Sequence, residues 1–360
     1  MLRYEKLQIE NFRCFSEITF ESLDRVNLLV GKNGSGKTAL LEALFIHSGL
    51  HNPELVLRVN VFRGIDVFKM DPMQPTEAPW NHLFSGFNIK VPIRIVSFNE
   101  SGTQKTTLKN ASINEKMNVL QKMRSVGFEV GPVSAESIQI LQLESIVNEK
   151  AVQKFHLILD QYGVKVFPVP PPPPYPCVFL DARRRSSAKE IVDRFSASAS
   201  NKDTLEEIIS MIRTIEPRIE DLRIFTVGDT SILHTDIGIG KFIPIHYLGD
   251  GLVRTLDIAL SMYNVRNGVL LIDEIEDGIH HSALEQYWTN ISTLARKLNV
   301  QIFATTHSYE CLVAAHRAFS KSEIYDLKVY RLERYDGQRK VVEYSKEELD
   351  ASIEVGFEVR

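Results

Sequence analysis

The sequence predicts an α/β fold with a mixed, largely parallel sheet and an inserted, mainly helical lobe. Near the start of the chain, Val26 to Val30 form an almost continuous apolar run, followed by a glycine-rich turn and a helix-like stretch from Thr38 to His47. Near its end, apolar runs at Val269–Ile272 and Val300–Ala304 flank an amphipathic stretch at Ser282–Leu298. Because buried strands that alternate with helices are typical of parallel sheets, we expect one such sheet built from both ends of the chain.

The remaining elements of this predicted domain follow from local patterns. Residues 2–10 alternate apolar and polar side chains, and Ile18 and Phe20 repeat the alternation after a short turn, which predicts a hairpin. Cys177 to Asp181 resembles a further strand. Helices are expected from about Lys189 and over Thr204–Ile215, and a second hairpin is expected at residues 219–235.

The region between the two parts of this predicted domain has a different sequence pattern. Prolines interrupt its short segments, and helix-like stretches follow at Asn114–Arg124 and Ala135–Asp160. A proline tract at residues 170–174 and 176 favours polyproline II, because each proline fixes φ and lacks a donor. We interpret this tract as a stiff connector, with a ligand for the aromatic groove of a partner as the alternative. The predicted units are a split domain (1–50 and 177–330), an inserted lobe (51–165), a proline-rich connector (166–176) and a C-terminal extension (331–360).

The composition excludes some classes of protein. Hydrophobic residues make up 44% and charged residues 24% of the chain, and no apolar run approaches the roughly 18 residues that span a bilayer. The charged start lacks the features of a signal peptide, so we expect a cytoplasmic protein without membrane association. The three cysteines are far apart, which argues against a disulfide framework or a zinc site. A net charge of −4 provides no global attraction to nucleic acid.

The glycine-rich turn matches the phosphate-binding pattern G-x-x-x-x-G-K-[ST] in full, between a predicted strand and a predicted helix. Its glycines let backbone N–H groups point at phosphates, and the helix N-terminus adds positive potential. The lysine can reach the β- and γ-phosphates, and the threonine can hold Mg²⁺. We therefore predict ATP and Mg²⁺ as ligands, with binding residues Gly31, Lys32, Asn33, Gly34, Ser35, Gly36, Lys37 and Thr38.

Candidate functional residues also follow two other predicted strands. The strand Val269–Ile272 ends in Asp273 and Glu274, where the first carboxylate would bind Mg²⁺ and the second would polarise the attacking water. The strand Val300–Ala304 leads to Thr305, Thr306 and His307, and the histidine is positioned to sense the γ-phosphate. Glu274 and His307 are thus the candidate catalytic residues, and Thr38 and Asp273 the candidate metal ligands.

These motifs together resemble the RecF/SMC/OLD group of ABC-type P-loop ATPases. The resemblance rests on the start around Asn11-Phe12-Arg13, the phosphate loop, Leu-Gly-Asp-Gly at 248–251, Asp-Glu-Ile-Glu-Asp-Gly-Ile-His at 273–280 and Ala-Thr-Thr-His-Ser at 304–308. It covers roughly residues 1–50 and 177–320. Within the group, the chain is most similar to the compact, often defence-associated ATPases of the OLD-like branch.

The resemblance implies roles for residues whose chemistry alone would not reveal them. Leu248, Gly249, Asp250 and Gly251 would form the signature loop, which caps the γ-phosphate of ATP bound to the opposite subunit of a homodimer. The loop from Glu276 to His280 would cross the dimer interface, His307 would be the switch histidine, and Arg13 would lie near the base. Most relatives have serine where this chain has Gly249, so one hydroxyl contact to the γ-phosphate is missing. The glutamine-bearing loop of the group has no identifiable position in the sequence.

The implied function is an ATP-hydrolysing switch that dimerises head-to-head around two ATP molecules. It would control an effector or a DNA transaction in genome maintenance or anti-phage defence. Only about 50 residues follow His307, too few for an average domain, so a nuclease would be a separate chain. The basic run Arg183, Arg184 and Arg185 is a solvated loop, a nucleic-acid contact or a nucleotide contact. Alternatives for the whole protein are a nucleotide-binding subunit of an ABC transporter and an ATP-binding scaffold with little hydrolysis.

Overall fold

The computed structural model describes residues 1–65, 77–128, 138–160, 163–199, 201–335 and 338–355. Within these residues, the parallel sheet expected from both chain ends is present, with the order β16-β15-β3-β14-β13-β9. All its neighbouring pairs are parallel except β15 and β16. Its strands are β3 (Val26–Val30), β9 (Cys177–Leu180), β13 (Val269–Ile272), β14 (Gln301–Thr305), β15 (Leu327–Tyr335) and β16 (Gln338–Tyr344).

A second sheet is antiparallel and has the order β2-β1-β4-β5-β6-β7-β8. The N-terminal hairpin belongs to it, so strands from the region 93–167 extend that hairpin directly. Its strands are β1 (Lys6–Phe12), β2 (Phe15–Phe20), β4 (Ile93–Asn99), β5 (Gly102–Asn110), β6 (Gln139–Val147), β7 (Gln153–Asp160) and β8 (Gly163–Phe167). A small third sheet contains β10 (Asp221–Val227), β11 (Thr230–Asp236) and β12 (Phe242–Pro244).

The prediction of a mainly helical lobe at 51–165 is wrong. The helix expected over Asn114–Arg124 is present as α3 (Ile113–Ser125), but the stretch expected as a helix from Ala135 to Asp160 holds the hairpin β6–β7. Its first residues, 135–137, lie outside the described part of the chain. The hairpin turns at Asn148 and Glu149, which both have positive φ, and side chains on each strand then alternate between the two faces of the sheet.

Helices cover both faces of the parallel sheet. The helix α1 lies between the two sheets, and nearly all its side chains are buried against β1, β9, β13 and β14. The other face packs against helices from the second half of the chain in a separate apolar cluster. The helices are α1 (Lys37–Ser48), α2 (Leu55–Phe62), α3, α4 (Ala188–Ser198), α5 (Lys202–Ile212), α6 (Asp250–Asn264), α7 (Leu284–Leu298), α8 (Tyr309–Ser320) and α9 (Lys346–Glu354).

Residues 168–176, which contain the proline tract, connect β8 to β9 without forming a helix or strand. In the portion of the chain that the structure describes, we find no helix with the length and apolar character needed to cross a bilayer.

Candidate nucleotide site

The phosphate loop connects β3 to α1 and has a backbone that requires glycine. Gly31, Gly34 and Gly36 have φ values of 134°, 75° and 113°, a region that residues with a side chain rarely adopt. A Cβ atom on Gly36 would lie 2.8 Å from both the Cys14 sulfur and the Phe15 ring. The loop is therefore held against the β1–β2 turn, and its last glycine leads directly into the N-terminus of α1.

Lys37 is buried at the base of this loop. Its ammonium donates to the carbonyl oxygens of Gly31 at 2.6 Å and Lys32 at 3.3 Å, and lies 3.4 Å from His307 Nδ1. Burial lowers the pKa of Lys37 to about 8, although the carboxylates of Asp273, Glu274 and Glu276 act in the opposite direction. Lys37 is thus bound to the phosphate loop, and from this position it would help the loop to bind phosphates.

Thr38 and Asp273 meet at the first turn of α1. The Thr38 hydroxyl donates to Asp273 Oδ2 at 3.0 Å, and the Thr305 hydroxyl donates to Asp273 Oδ1 at 2.6 Å. The backbone N–H of Asp273 donates to Leu180 O at 2.9 Å. The Asp273 carboxylate is therefore oriented by the Thr305 and Thr38 hydroxyls, while its backbone is bound to the end of β9.

Glu274 follows with a left-handed backbone, φ 50°, which is uncommon outside glycine. Its N–H donates to the Thr305 hydroxyl at 2.8 Å, and its carboxylate oxygen Oε1 lies 3.8 Å from His307 Nε2. Burial raises the pKa of the Glu274 carboxyl, and the neighbouring Asp273 raises it further. The turn thus places this carboxylate beside the histidine.

Glu276 has a contact that the sequence prediction missed. Its Oε1 accepts hydrogen bonds from the backbone N–H groups of His307 at 2.9 Å and Ser308 at 3.2 Å. Ser308 caps α8 by accepting from Cys311 N–H at 3.0 Å. One carboxylate therefore joins the loop after β13 to the loop that carries His307. The acidic spacing Asp-Glu-Ile-Glu was the available signal, but it does not identify the partner atoms.

Lys37, Thr38, Asp273, Glu274 and His307 line a cleft of about 800 Å³ at the carboxyl edge of the parallel sheet. Its other end is formed by Arg13, Cys14 and the segment from His82 to Phe87. Within it, the buried Glu42 accepts hydrogen bonds from Arg13 Nε at 3.1 Å and from Arg63 Nε at 2.6 Å. The cleft thus joins residues 33–38 of the phosphate loop, both candidate catalytic residues, both candidate metal ligands and Arg13, which the resemblance had put near the base, whereas Gly31 and Lys32 lie outside its lining.

Asp181 is a second residue that the sequence prediction did not assign to a site. It follows β9, is 5% exposed and lines the same cleft next to Asp273. Burial raises the pKa of its carboxyl, and Asp273 adds to this effect. The signal was present, because β9 was predicted as a strand, but its position beside β13 depends on strand order, which local patterns do not give.

The segment Leu248, Gly249, Asp250 and Gly251 does not line this cleft. Leu248 and Gly249 directly precede α6, Asp250 and Gly251 begin it, and a Cβ atom on Gly251 would lie 2.0 Å from the carbonyl oxygen of Gly278. Gly249 has φ 101° and ψ 155°, a conformation that strains any residue with a side chain. Glycine at position 249 therefore matches the backbone conformation of this loop.

Two family models match the chain. A model described as an AAA domain, putative AbiEii toxin, Type IV TA system, matches residues 139–312, and a model described as an AAA domain matches residues 6–50. An ATP/GTP phosphatase from Helicobacter pylori is 22% identical over 332 residues, which is 85% of this chain and 85% of the phosphatase.

Shorter matches connect the chain to DNA repair proteins. The DNA replication and repair protein RecF of Idiomarina loihiensis is 45% identical over 42 residues, which is 12% of each chain. The DNA double-strand break repair Rad50 ATPase of Methanosarcina acetivorans is 30% identical over 105 residues, 28% of this chain and 9% of Rad50. The chain thus spans only a small part of these two relatives.

The fold has a counterpart among solved structures. An SMC head bound to the C-terminal winged-helix domain of ScpA aligns with 97% of this chain and 99% of its own, with a TM-score of 0.51 and 11% identity. The phosphate loop, the acidic strand end and this fold define an ABC-type P-loop ATPase. Together with the sequence matches, these features support a RecF/SMC-like ATPase, and the resemblance predicted from the motifs is confirmed.

Proposed function

We propose that this ATPase is a molecular switch in which two copies close head-to-head around two ATP molecules, each bound with Mg²⁺. The observation that carries the proposal is the convergence of Lys37, Asp273, Glu274 and His307 in one cleft at the N-terminus of α1. Lys37 and the first N–H groups of α1 would hold the phosphates, because both supply positive potential at the same point.

The donor set beside the phosphate loop fits Mg²⁺. Thr38 Oγ1 and Asp273 Oδ2 are hard oxygen ligands 3.0 Å apart, and Mg²⁺ is usually bound by one or two protein oxygens together with substrate phosphates. Thr38 and Asp273 would therefore hold the ion. When bound, it neutralises charge on the β- and γ-phosphates.

Glu274 is suited to activate the attacking water. Its carboxylate is nearly half exposed, and its raised pKa makes it a better proton acceptor than an ordinary glutamate. The water oxygen bonds to the γ-phosphorus, the bond to the β–γ bridging oxygen breaks, and the water proton passes to Glu274. His307, between Lys37 and Glu274, would contact the γ-phosphate.

The arrangement of the signature segment supports a dimer. Leu248 to Gly251 lie outside the cleft of their own chain, so a cap over the γ-phosphate would have to come from a second copy. Gly251 contacts Gly278 in the loop that the resemblance assigns to the dimer interface. A change at the interface would thus reach the strand end that carries Glu274.

The switch would control a separate effector, such as a nuclease, or a DNA transaction in genome maintenance or anti-phage defence. Relatives named for DNA repair, and a family model described as a putative toxin, support these two settings. Identification of the co-purifying chain would distinguish them, and phosphate release with and without DNA would show whether nucleic acid changes turnover.

The nucleotide site is tested by Lys37→Ala. Loss of a charge-assisted hydrogen bond lowers ATP affinity by roughly 10- to 100-fold. Calorimetry measures that affinity, circular dichroism confirms that the variant is folded, and phosphate release follows turnover. Lys202→Ala removes an exposed lysine that does not line the cleft and should leave affinity and turnover unchanged. Wild-type affinity in folded Lys37→Ala would refute the site.

A further inference from the structure

The three arginines of the basic run have different environments. Arg184 Nη2 donates to Glu190 at 2.9 Å, and Arg185 Nη2 donates to Asp277 at 2.6 Å. Arg183 lines the nucleotide cleft, and among the described residues no carboxylate oxygen lies within 4.0 Å of its guanidinium nitrogens. The run is therefore not a uniform basic surface, because only its first member faces the cleft.

Hydrogen bonds and strand pairing fix the position of the Arg183 backbone. The buried carboxylate of Asp181 accepts hydrogen bonds from the backbone N–H groups of Arg183 and Arg184, the latter at 3.2 Å. Strand β9 pairs with β13 so that Leu180 lies opposite Ile272. Arg183 follows the paired residue Leu180 by three positions, and Asp273 and Glu274 directly follow its partner Ile272.

The charges of the cleft distinguish Arg183 from the other arginines that line it. Glu42 takes hydrogen bonds from both Arg13 and Arg63, so those two cations are already paired. Asp181, Asp273 and Glu274 add negative charge close to where a triphosphate would lie. Among the described lining residues, Lys37 and Arg183 are the lysine and arginine side chains not in an ion pair with a carboxylate.

We propose that Arg183 binds the terminal phosphate of ATP in its own subunit, opposite Lys37, and stabilises the charge that develops as the phosphoryl group is transferred. This inference rests on the proposed function, since it requires a triphosphate at the phosphate loop. Arg183 exchanges no proton and forms no covalent bond. Its planar guanidinium donates to phosphate oxygens, and such donors have their largest effect in the transition state. Arg184 and Arg185 instead pair with Glu190 and Asp277 and take no part in this contact.

The test compares Arg183→Ala with Arg184→Ala, a matched neighbour whose side chain forms a surface ion pair. Arg183→Ala should lower kcat by about 100-fold, the scale for removal of one preorganised donor. Calorimetry should show weaker binding of the slowly hydrolysed analogue ATPγS, by roughly 10-fold, with ADP affinity unchanged. Arg183→Lys should recover part of both losses, and Arg184→Ala should match the wild type.

Each other outcome overturns the assignment in a recognisable way. Equal loss of ADP and ATPγS affinity would move Arg183 to the inner phosphates, and wild-type values in Arg183→Ala would remove it from the site. If all three single alanine variants instead weakened duplex DNA binding and its salt dependence, the run would be a nucleic-acid contact. The proposed function fails separately, when Lys37→Ala retains wild-type ATP affinity.

Discussion

Lys37 combines a phosphate-binding position with a lowered pKa, and this combination has a measurable consequence. Its ammonium is buried, and burial brings its pKa to about 8. In the nucleotide-free chain the side chain therefore loses its proton as the pH rises above that value. A bound triphosphate favours the charged form, so binding at higher pH must take up a proton.

We expect ATP affinity to be constant below about pH 7 and to fall as the pH rises above 8, by at most about tenfold per unit. Titration calorimetry in buffers of different ionisation enthalpy measures both the affinity and the proton taken up. Lys37→Ala supplies the control, because its remaining affinity should lack this dependence. Constant affinity and no proton uptake up to about pH 9 would contradict the lowered pKa.

The residues that line the cleft could be predicted from the sequence more completely than the contacts that these residues make. Lys37 and Asp273 belong to motifs whose spacing is local, so the sequence alone singled them out. The contact of Glu276 with the histidine loop and the place of Asp181 in the cleft were missed, because the partners of both residues depend on the tertiary arrangement. Glu276 binds the amides of residues 307 and 308, about thirty residues away, and Asp181 meets Asp273 only after β9 pairs with β13.

At the level of elements, the contact between α6 and the loop after β13 leaves no room for a side chain. A Cβ atom on Gly251 would lie 2.0 Å from the carbonyl oxygen of Gly278 and 2.8 Å from its carbonyl carbon. Both neighbours are backbone atoms, so an added methyl group would have to displace the helix or the loop. The buried Arg254 of the same helix donates to the carbonyl oxygen of Asp273 at 2.7 Å, so that displacement would reach the acidic strand end.

We therefore expect Gly251→Ala to reduce the free energy of unfolding by about 1–3 kcal/mol, the usual cost of overpacking, and to lower turnover. Urea denaturation and phosphate release measure the two effects. Arg266→Ala, at an exposed position just past the end of α6, should change neither. An unfolding free energy equal to the wild type would show that the contact adjusts without strain.

The prediction of a helix over residues 135–160 was wrong because the local spacing of apolar residues did not determine the type of secondary structure. Apolar residues in Gln139–Val147 satisfy a helical spacing as well as the alternation of a strand, and short apolar runs do not distinguish the two. Pairing with a second strand determines that this segment is a strand, because Ile140 lies opposite Ile158 and Leu143 opposite Phe155 across the hairpin. The central strands of the parallel sheet were easier to predict, since β3 and β13 are short and almost entirely apolar, and each is followed by a motif residue.

At the scale of the whole molecule, the two sheets enclose α1 and so join the nucleotide site to the N-terminal half of the chain. His47 near the end of α1 is completely buried and contacts the hydroxyls of Thr106 and Ser97, both at 2.8 Å. Burial lowers the pKa of His47 to about 3, so it is neutral and makes these contacts without charge. A displacement of α1 on nucleotide binding would therefore be transmitted to the antiparallel sheet.

The proposed closure of two copies gives the last prediction, which concerns Glu274→Gln. Glutamine is close in size to glutamate and keeps an acceptor oxygen, but it cannot take the proton of the attacking water. Bound ATP then persists, and ligand that binds only the closed dimer shifts the equilibrium toward it. We expect light scattering to show twice the monomer mass for Glu274→Gln with ATP and Mg²⁺, and the monomer mass with ADP. The double variant Lys37→Ala, Glu274→Gln should remain monomeric, because it no longer binds ATP well enough to hold the two copies together. If Glu274→Gln binds ATP by calorimetry and still has the monomer mass, and the wild type shows no preformed dimer, then ATP acts within one copy and the head-to-head model is wrong.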